Sequence, residues 1–234
     1  MHKLAGLVSG MAITLAAGPA LAQTFGTQGD AVFGVERLFG VHGTHVYEEL
    51  DPEANDGSDE AKDTFIGLSL GWRGPVAPQF SPFDAPRLGF DYFVINNLSV
   101  GGSLGYASGS DDSEDFAPGG NSYATGPSDF SSFLIAPRAG YALMFADWVG
   151  FWPRAGVTFH TLSVSDVFSE NGLAFTLEAN FVIVPTPNIG VLIGPTLDLD
   201  LFGSRDYKDA FSQGNTVDRR YRTIGLQVGM FFWI

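Results

Sequence analysis

From residue 87 to the end of the chain, almost every segment between turns alternates with a period of two. Bulky apolar side chains occupy one side, and small or polar ones the other. In the stretch 189–203, Ile189, Val191, Ile193, Leu197, Leu199 and Leu201 share one face of an extended chain, while Gly190, Gly194, Thr196, Asp198 and Asp200 share the opposite one. Leu88, Phe90, Tyr92 and Val94 oppose Arg87, Gly89 and Asp91 in the same manner. Phe151, Ala155, Val157 and Phe159 oppose Arg154, Gly156, Thr158 and His160, and Leu173, Phe175, Leu177, Phe181 and Ile183 oppose Ala174, Thr176, Glu178 and Asn180. The last ten residues, GLQVGMFFWI, extend a strand in which Ile224, Leu226, Val228, Met230, Phe232 and Ile234 form the apolar face. No segment carries a comparable helical stripe. A chain patterned this way is all-β, and its strands pack with one uniformly greasy side.

The connections fix how the strands follow one another. Asn96-Asn97 is a two-residue turn signal, since Asn tolerates positive φ, and short turns are also predicted at 146–149 and 185–188. Longer polar connections fall near 109–129, 165–171 and 203–219. Short turns at one end and longer loops at the other describe an antiparallel up-and-down meander. Segments 31–46 and 64–72 also alternate, giving nine candidate strands. An up-and-down barrel with both chain ends on one side needs an even number. The preferred count is eight and the second choice ten. The surplus is assigned to a bend in 31–46, to part of that segment lying outside the barrel, or to an unrecognised strand near 75–85.

The polar face decides which way the sheet turns. It is built from Gly, Ser, Ala and Thr with isolated charges, and the whole chain has only three lysines. A solvated strand surface would carry many long charged side chains. Small residues with a few charges of both signs suit the confined interior of a barrel of about eight strands. The apolar face, turned to water, would exceed the few hundred Å² that a soluble monomer exposes. Turned to lipid, it is the outer band of a transmembrane β-barrel. Only closed antiparallel strands allow a sheet to cross hydrocarbon with every backbone group paired. Trp72, Tyr92, Tyr106, Tyr141 and Trp148 lie near strand ends, where membrane-interface aromatics collect. Inside, Arg87, Arg138 and Arg154 are expected to pair with Asp91, Glu178, Asp198 and Asp200, because buried charges left alone are too costly. The expectation is a plugged, salt-bridged lumen.

The first residues read as an address. Lys3 precedes a mostly apolar run of about 14 residues, too short for the roughly 20 that span a bilayer as a helix. Ala20-Leu21-Ala22 has the form cleaved by signal peptidase. Residues 1–22 are therefore expected to be a signal peptide and 23–234 the barrel domain. The chain has no cysteine and a formal net charge of −14, which excludes disulfide staples and disfavours nucleic acid as a partner.

A leader ending Ala-Leu-Ala, the alternating strands and the final strand GLQVGMFFWI together resemble the small outer-membrane β-barrel proteins of Gram-negative (diderm) bacteria, the OmpA/OmpX-like superfamily. The resemblance spans essentially the whole mature chain as a pattern. It implies residence in the outer membrane, contact with its lipid, and passage through periplasmic chaperones and the barrel-assembly machinery as a monomer. In that family the assembly machinery reads a last strand ending in an aromatic residue; here Phe232 and Trp233 are present but Ile234 is terminal. No further domain is expected after the barrel.

The chemistry-bearing residues are sparse. Asp51, Glu53, Asp56 and Asp59 lie in an acidic stretch that could bind cations weakly, but with Gly57 at the sixth position of a calcium loop Pro52 and Ala54 take ligand positions they cannot fill. Asp111, Asp112, Glu114 and Asp115 form a second acidic cluster. No dedicated metal site and no cofactor are expected. His42 and His45 are three apart on a strand, hence on opposite faces. His160 shares a face with Thr158 and is expected near Glu178, the base half of a hydrolytic pair without a recognisable nucleophile. Three functional classes stay open. The preferred one is a non-enzymatic structural or surface-interaction barrel with acidic external loops. A narrow porin-like pore or transporter for small or hydrophobic solutes is second, and a lipid-modifying enzyme third.

Overall fold

In the computed structural model the described residues are 25–49, 60–70, 81–109, 130–164, 167–208 and 216–234. They form β1 (Ala31–Glu49), β2 (Glu60–Leu70), β3 (Arg87–Ile95), β4 (Leu98–Gly109), β5 (Phe130–Tyr141), β6 (Leu143–Ala146), β7 (Val149–Val164), β8 (Phe168–Thr186), β9 (Ile189–Tyr207) and β10 (Thr216–Trp233). All pairings are antiparallel, and β10 pairs with β1 along most of its length, so the sheet closes on itself.

The ten segments occupy eight positions around the ring. β5 and β6 both pair with β7 and are one strand broken at Ala142. β2 and β3 both pair with β1, β2 along Phe39–Glu49 and β3 along Ala31–Glu36. This corrects the assignment of the ninth strand. The segment 31–46 is neither bent into two strands nor outside the barrel. Instead the predicted strands at 64–72 and 87–95 share one position. Nor is there a strand at Pro82–Asp84, which form a 3-10 turn; residues 71–80 lie outside the described residues. That turn enters the barrel: Phe83 is fully buried and its carbonyl accepts from Arg37 Nη1 at 2.8 Å.

The turns follow from local chemistry. Asn97 (φ 70°) and Asn188 (φ 65°) take the left-handed conformation that a tight hairpin requires and Asn tolerates. The alternation carries through to exposure. In β3 the pattern is buried then exposed, residue by residue, over Arg87–Val94. In β10, Ile224, Leu226, Met230 and Phe232 are exposed, as is Ile234 directly after it, with Val228 on the same side but partly covered. Tyr92, Tyr106, Tyr141 and Trp148 are exposed near the strand ends; Trp72 lies outside the described residues.

Two features break the alternation. In β1 the register to β10 jumps between Val35 and Phe39, and Arg37 sits at φ 54°. This bulge lets two consecutive residues, Glu36 and Arg37, both point inward, where they are 2% and 1% exposed. In β9 a bulge near Leu201 leaves both Leu201 and Phe202 exposed.

The short-turn end of the barrel is closed by an apolar floor of Phe25, Val32, Phe93, Ala142, Trp152, Val182, Leu192, Phe231 and Trp233. Phe25 comes from the segment preceding β1, and its ring lies 5.0–5.3 Å from those of Phe93, Trp152, Phe231 and Trp233. Asp30 holds that segment in place by accepting from the backbone N–H of Gly26 and Thr27 at 3.2 and 3.0 Å. The interior is therefore not polar throughout, as the small residues of the inward face suggested.

Candidate functional site

Above the aromatic floor the barrel holds a layer of charge built from β1, β3, β5, β7, β8 and β9. Arg138 stands at its centre. Its Nη1 and Nη2 each donate to Glu36 at 2.6 Å, its Nε and Nη2 donate to Asp91 at 3.2 and 2.5 Å, and its Nη1 reaches Glu178 at 3.4 Å. Arg154 bridges Glu36 at 2.6 Å and Glu178 at 2.8 Å, with Asp91 at 3.6 Å. Its guanidinium also lies 4.7 Å above the Trp152 ring, tying the charged layer to the floor. Arg37 makes a two-pronged contact with Asp198 at 2.8 and 3.1 Å, and Thr176 donates to the same carboxylate at 2.8 Å.

Arg87 is fully buried with Asp198 as its nearest carboxylate, at 3.9 Å, and its guanidinium makes no hydrogen bond among the described residues. It acts on the layer by charge alone. Arg37, Arg87, Arg138 and Arg154 thus face Glu36, Asp91, Glu178 and Asp198, a neutral set in which several members share two or more partners. Room for these groups comes from small neighbours. A Cβ placed on Gly89 would come within 2.6 Å of Glu36 Oε1 and 3.0 Å of Arg138 Nη2.

Of the residues proposed from sequence for the lumen, Arg87, Asp91, Arg138, Arg154, Glu178 and Asp198 lie in this layer. Asp200 does not. It sits higher, bonded to His160 Nε2 at 3.1 Å and accepting from the Tyr221 backbone N–H at 2.9 Å. His160 correspondingly meets Asp200 and not Glu178, whose contacts are with arginines. The register of β7 on β8 decides this, with His160 opposite Gly172 and Glu178 opposite Arg154, and period-two reading sets faces but not register. Glu36 and Arg37 were missed for a related reason: adjacent strand residues normally face opposite sides. An adjacent Glu-Arg pair set between apolar Val35 and Leu38 was the available signal.

His160 packs edge-on against Phe83 and Tyr221, with ring centroids 5.0 and 6.2 Å away. Nearer the long-loop end, Glu170 accepts from Arg205 and Tyr221, Arg219 reaches Glu48 at 2.6 Å, and Tyr207 donates to Glu48. His42 is buried facing the lumen, whereas His45 faces outward and bonds Thr64 at 2.6 Å. Among the described residues no group of three or more His, Cys, Asp or Glu is arranged to hold a metal ion. The acidic stretch with Asp51, Glu53, Asp56 and Asp59, and the cluster at 111–115, lie outside the described residues.

The closed ring, its apolar exterior and its filled interior define a small outer-membrane β-barrel fold. The outer membrane protein OprG from Pseudomonas aeruginosa shares it, with a TM-score of 0.50 and 13% identity over 88% of this chain and 97% of that one. Neisserial surface protein A matches at a TM-score of 0.44 and 17% identity, covering 86% of this chain and 96% of its own. Ail, the attachment invasion locus protein of Yersinia pestis, matches at a TM-score of 0.37 and 12% identity, covering 88% and 100%. No known protein-family profile matches the sequence, and no curated protein matches it significantly.

Proposed function

We propose that this chain is a monomeric, non-conducting outer-membrane barrel, exported with a signal peptide cleaved after Ala22 and serving a structural or surface-interaction role through its acidic external loops. The observation that carries the reading is the occupied lumen. An aromatic floor, the Arg138-centred charge layer and the Phe83 turn stack one above another. The void left between Arg87, Arg138, Arg154 and Glu178 is about 10 Å³, room for one water at most. A solute path would require the arginine fork of Arg138 to leave three carboxylates at once, which is costly out of water.

An enzymatic role finds less support in the same geometry. The His160–Asp200 pair is fully buried within the barrel, covered by Phe83 and Tyr221, and faces away from lipid. Reconstitution of the refolded barrel in planar bilayers tests the proposal. The expected record shows no unit conductance steps; discrete, reproducible openings of a single size would overturn it in favour of a narrow pore.

A further inference from the structure

Most arginines of this acidic chain are spent inside. Arg37, Arg87, Arg154 and Arg205 are buried, Arg138 is nearly so, and Arg219 turns to Glu48 at the mouth. Among the described residues, Arg220 and Arg222 alone of the arginines are exposed, and both lie on the outward side of β10. Their position on that side is specific. Ile224, 63% exposed, is the last apolar outward residue of β10, level with Ile66 of β2 at 76%. One step further along, Arg222 is opposite His45 of β1, which is opposite Thr64 of β2. A second step places Arg220 opposite Tyr47, whose partner on β2 is Lys62. Each step of two residues advances about 7 Å. On β1 and β10 a cationic and aromatic patch two strands wide therefore begins beyond the last apolar outward residue of β10, with exposed Leu201 and Phe202 of β9 beside it, on the long-loop side, which faces outward in barrels of this type.

The patch is organised in advance. The Arg222 guanidinium lies 4.7 Å above the Tyr47 ring and donates to its hydroxyl at 3.3 Å, and the His45 ring meets Tyr47 edge-on at 4.4 Å. Arg220 approaches Asp218 at 3.8 Å, but both side chains are more than half exposed, and such a pair holds the guanidinium only weakly. A planar fork of N–H donors at headgroup depth suits phosphate.

We propose that Arg222 and Arg220, supported by His45 and Tyr47, seat the phosphate groups of outer-leaflet lipid against the barrel wall. This rests on the outer-membrane reading given above and adds a defined lipid contact to it. The test compares the full barrel inserted in phosphatidylcholine nanodiscs containing either bisphosphorylated lipid A or its dephosphorylated form. Insertion is verified by the heat-dependent gel shift, and retained glycolipid is counted by native mass spectrometry. The wild type should retain the phosphorylated lipid about 10- to 30-fold better than the dephosphorylated one, and R220S/R222S should lose that preference. Equal retention of both lipids by inserted wild type, or an unchanged preference in the inserted double variant, would overturn the site while leaving the membrane reading intact. Failure of the wild type to insert would overturn both.

Discussion

Replacing Arg138 by Leu tests the charge layer at its most connected point. The side chain is 5% exposed and contacts Glu36, Asp91 and Glu178. Its loss leaves three arginines facing four carboxylates. The deficit is not shared evenly. Glu36 keeps Arg154 at 2.6 Å, and Glu178 keeps Arg154 at 2.8 Å and Arg37 at 3.6 Å. Asp91 keeps only the 3.6 Å approach of Arg154. The uncompensated charge therefore settles on Asp91, and removing one partner of a buried pair costs about 3–5 kcal/mol. If that reasoning holds, R138L/D91N, which restores neutrality, recovers at least half of the loss, a coupling that a double-mutant cycle isolates. Urea unfolding of the barrel in lipid vesicles, followed by tryptophan fluorescence and by gel mobility without boiling, measures both variants. An R138L barrel within about 0.5 kcal/mol of wild type, the scatter of neutral surface changes, would refute the argument. So would a double variant no more stable than the single.

Other positions give independent checks in the same unfolding assay. Leu226→Arg, on the outward face of β10 between Val41 and Pro195, should cost about 2–4 kcal/mol near the bilayer midplane; no loss there would mean the face does not meet hydrocarbon. Phe25→Ala removes the ring that contacts the four other aromatics of the floor, with an expected loss of about 3–5 kcal/mol. A barrel indifferent to it would show that the segment before β1 is not seated. Asn97, at φ 70°, should accept Gly with little change but lose about 1–2 kcal/mol as Val; equal stability of the two would argue against the left-handed turn.

The sheet was legible in the sequence because both of its determinants are local. Period-two alternation sets the faces of β3, β4 and β7–β10, and Asn97 and Asn188 mark hairpins by a backbone preference. The inward positions of Asp91, Glu178 and Asp198 follow from the same alternation. What escaped depends on irregular backbone or on distant partners. The bulge at Arg37 brings two adjacent charged residues inward against the rule. The register of β7 on β8 gives Glu178 to Arg154 and leaves His160 to Asp200. The insertion between β2 and β3 leaves the alternation of each half intact, so a divided strand reads as two. Phe25 carries no pattern at all; its place depends on four rings supplied by three strands, β3, β7 and β10, distant in the chain.

An outer-membrane barrel must point its apolar face outward into lipid, and the absence of cysteine makes a direct test simple. Single cysteines introduced at residues 224 to 230 and labelled with a nitroxide can be scanned, in vesicles, for collision with oxygen dissolved in the bilayer and with a water-soluble nickel chelate. Oxygen access should peak at 224, 226 and 230, while 225, 227 and 229 should be shielded from both reagents. Peaks of nickel access at 224, 226 and 230 would place that face in water and contradict the barrel's orientation.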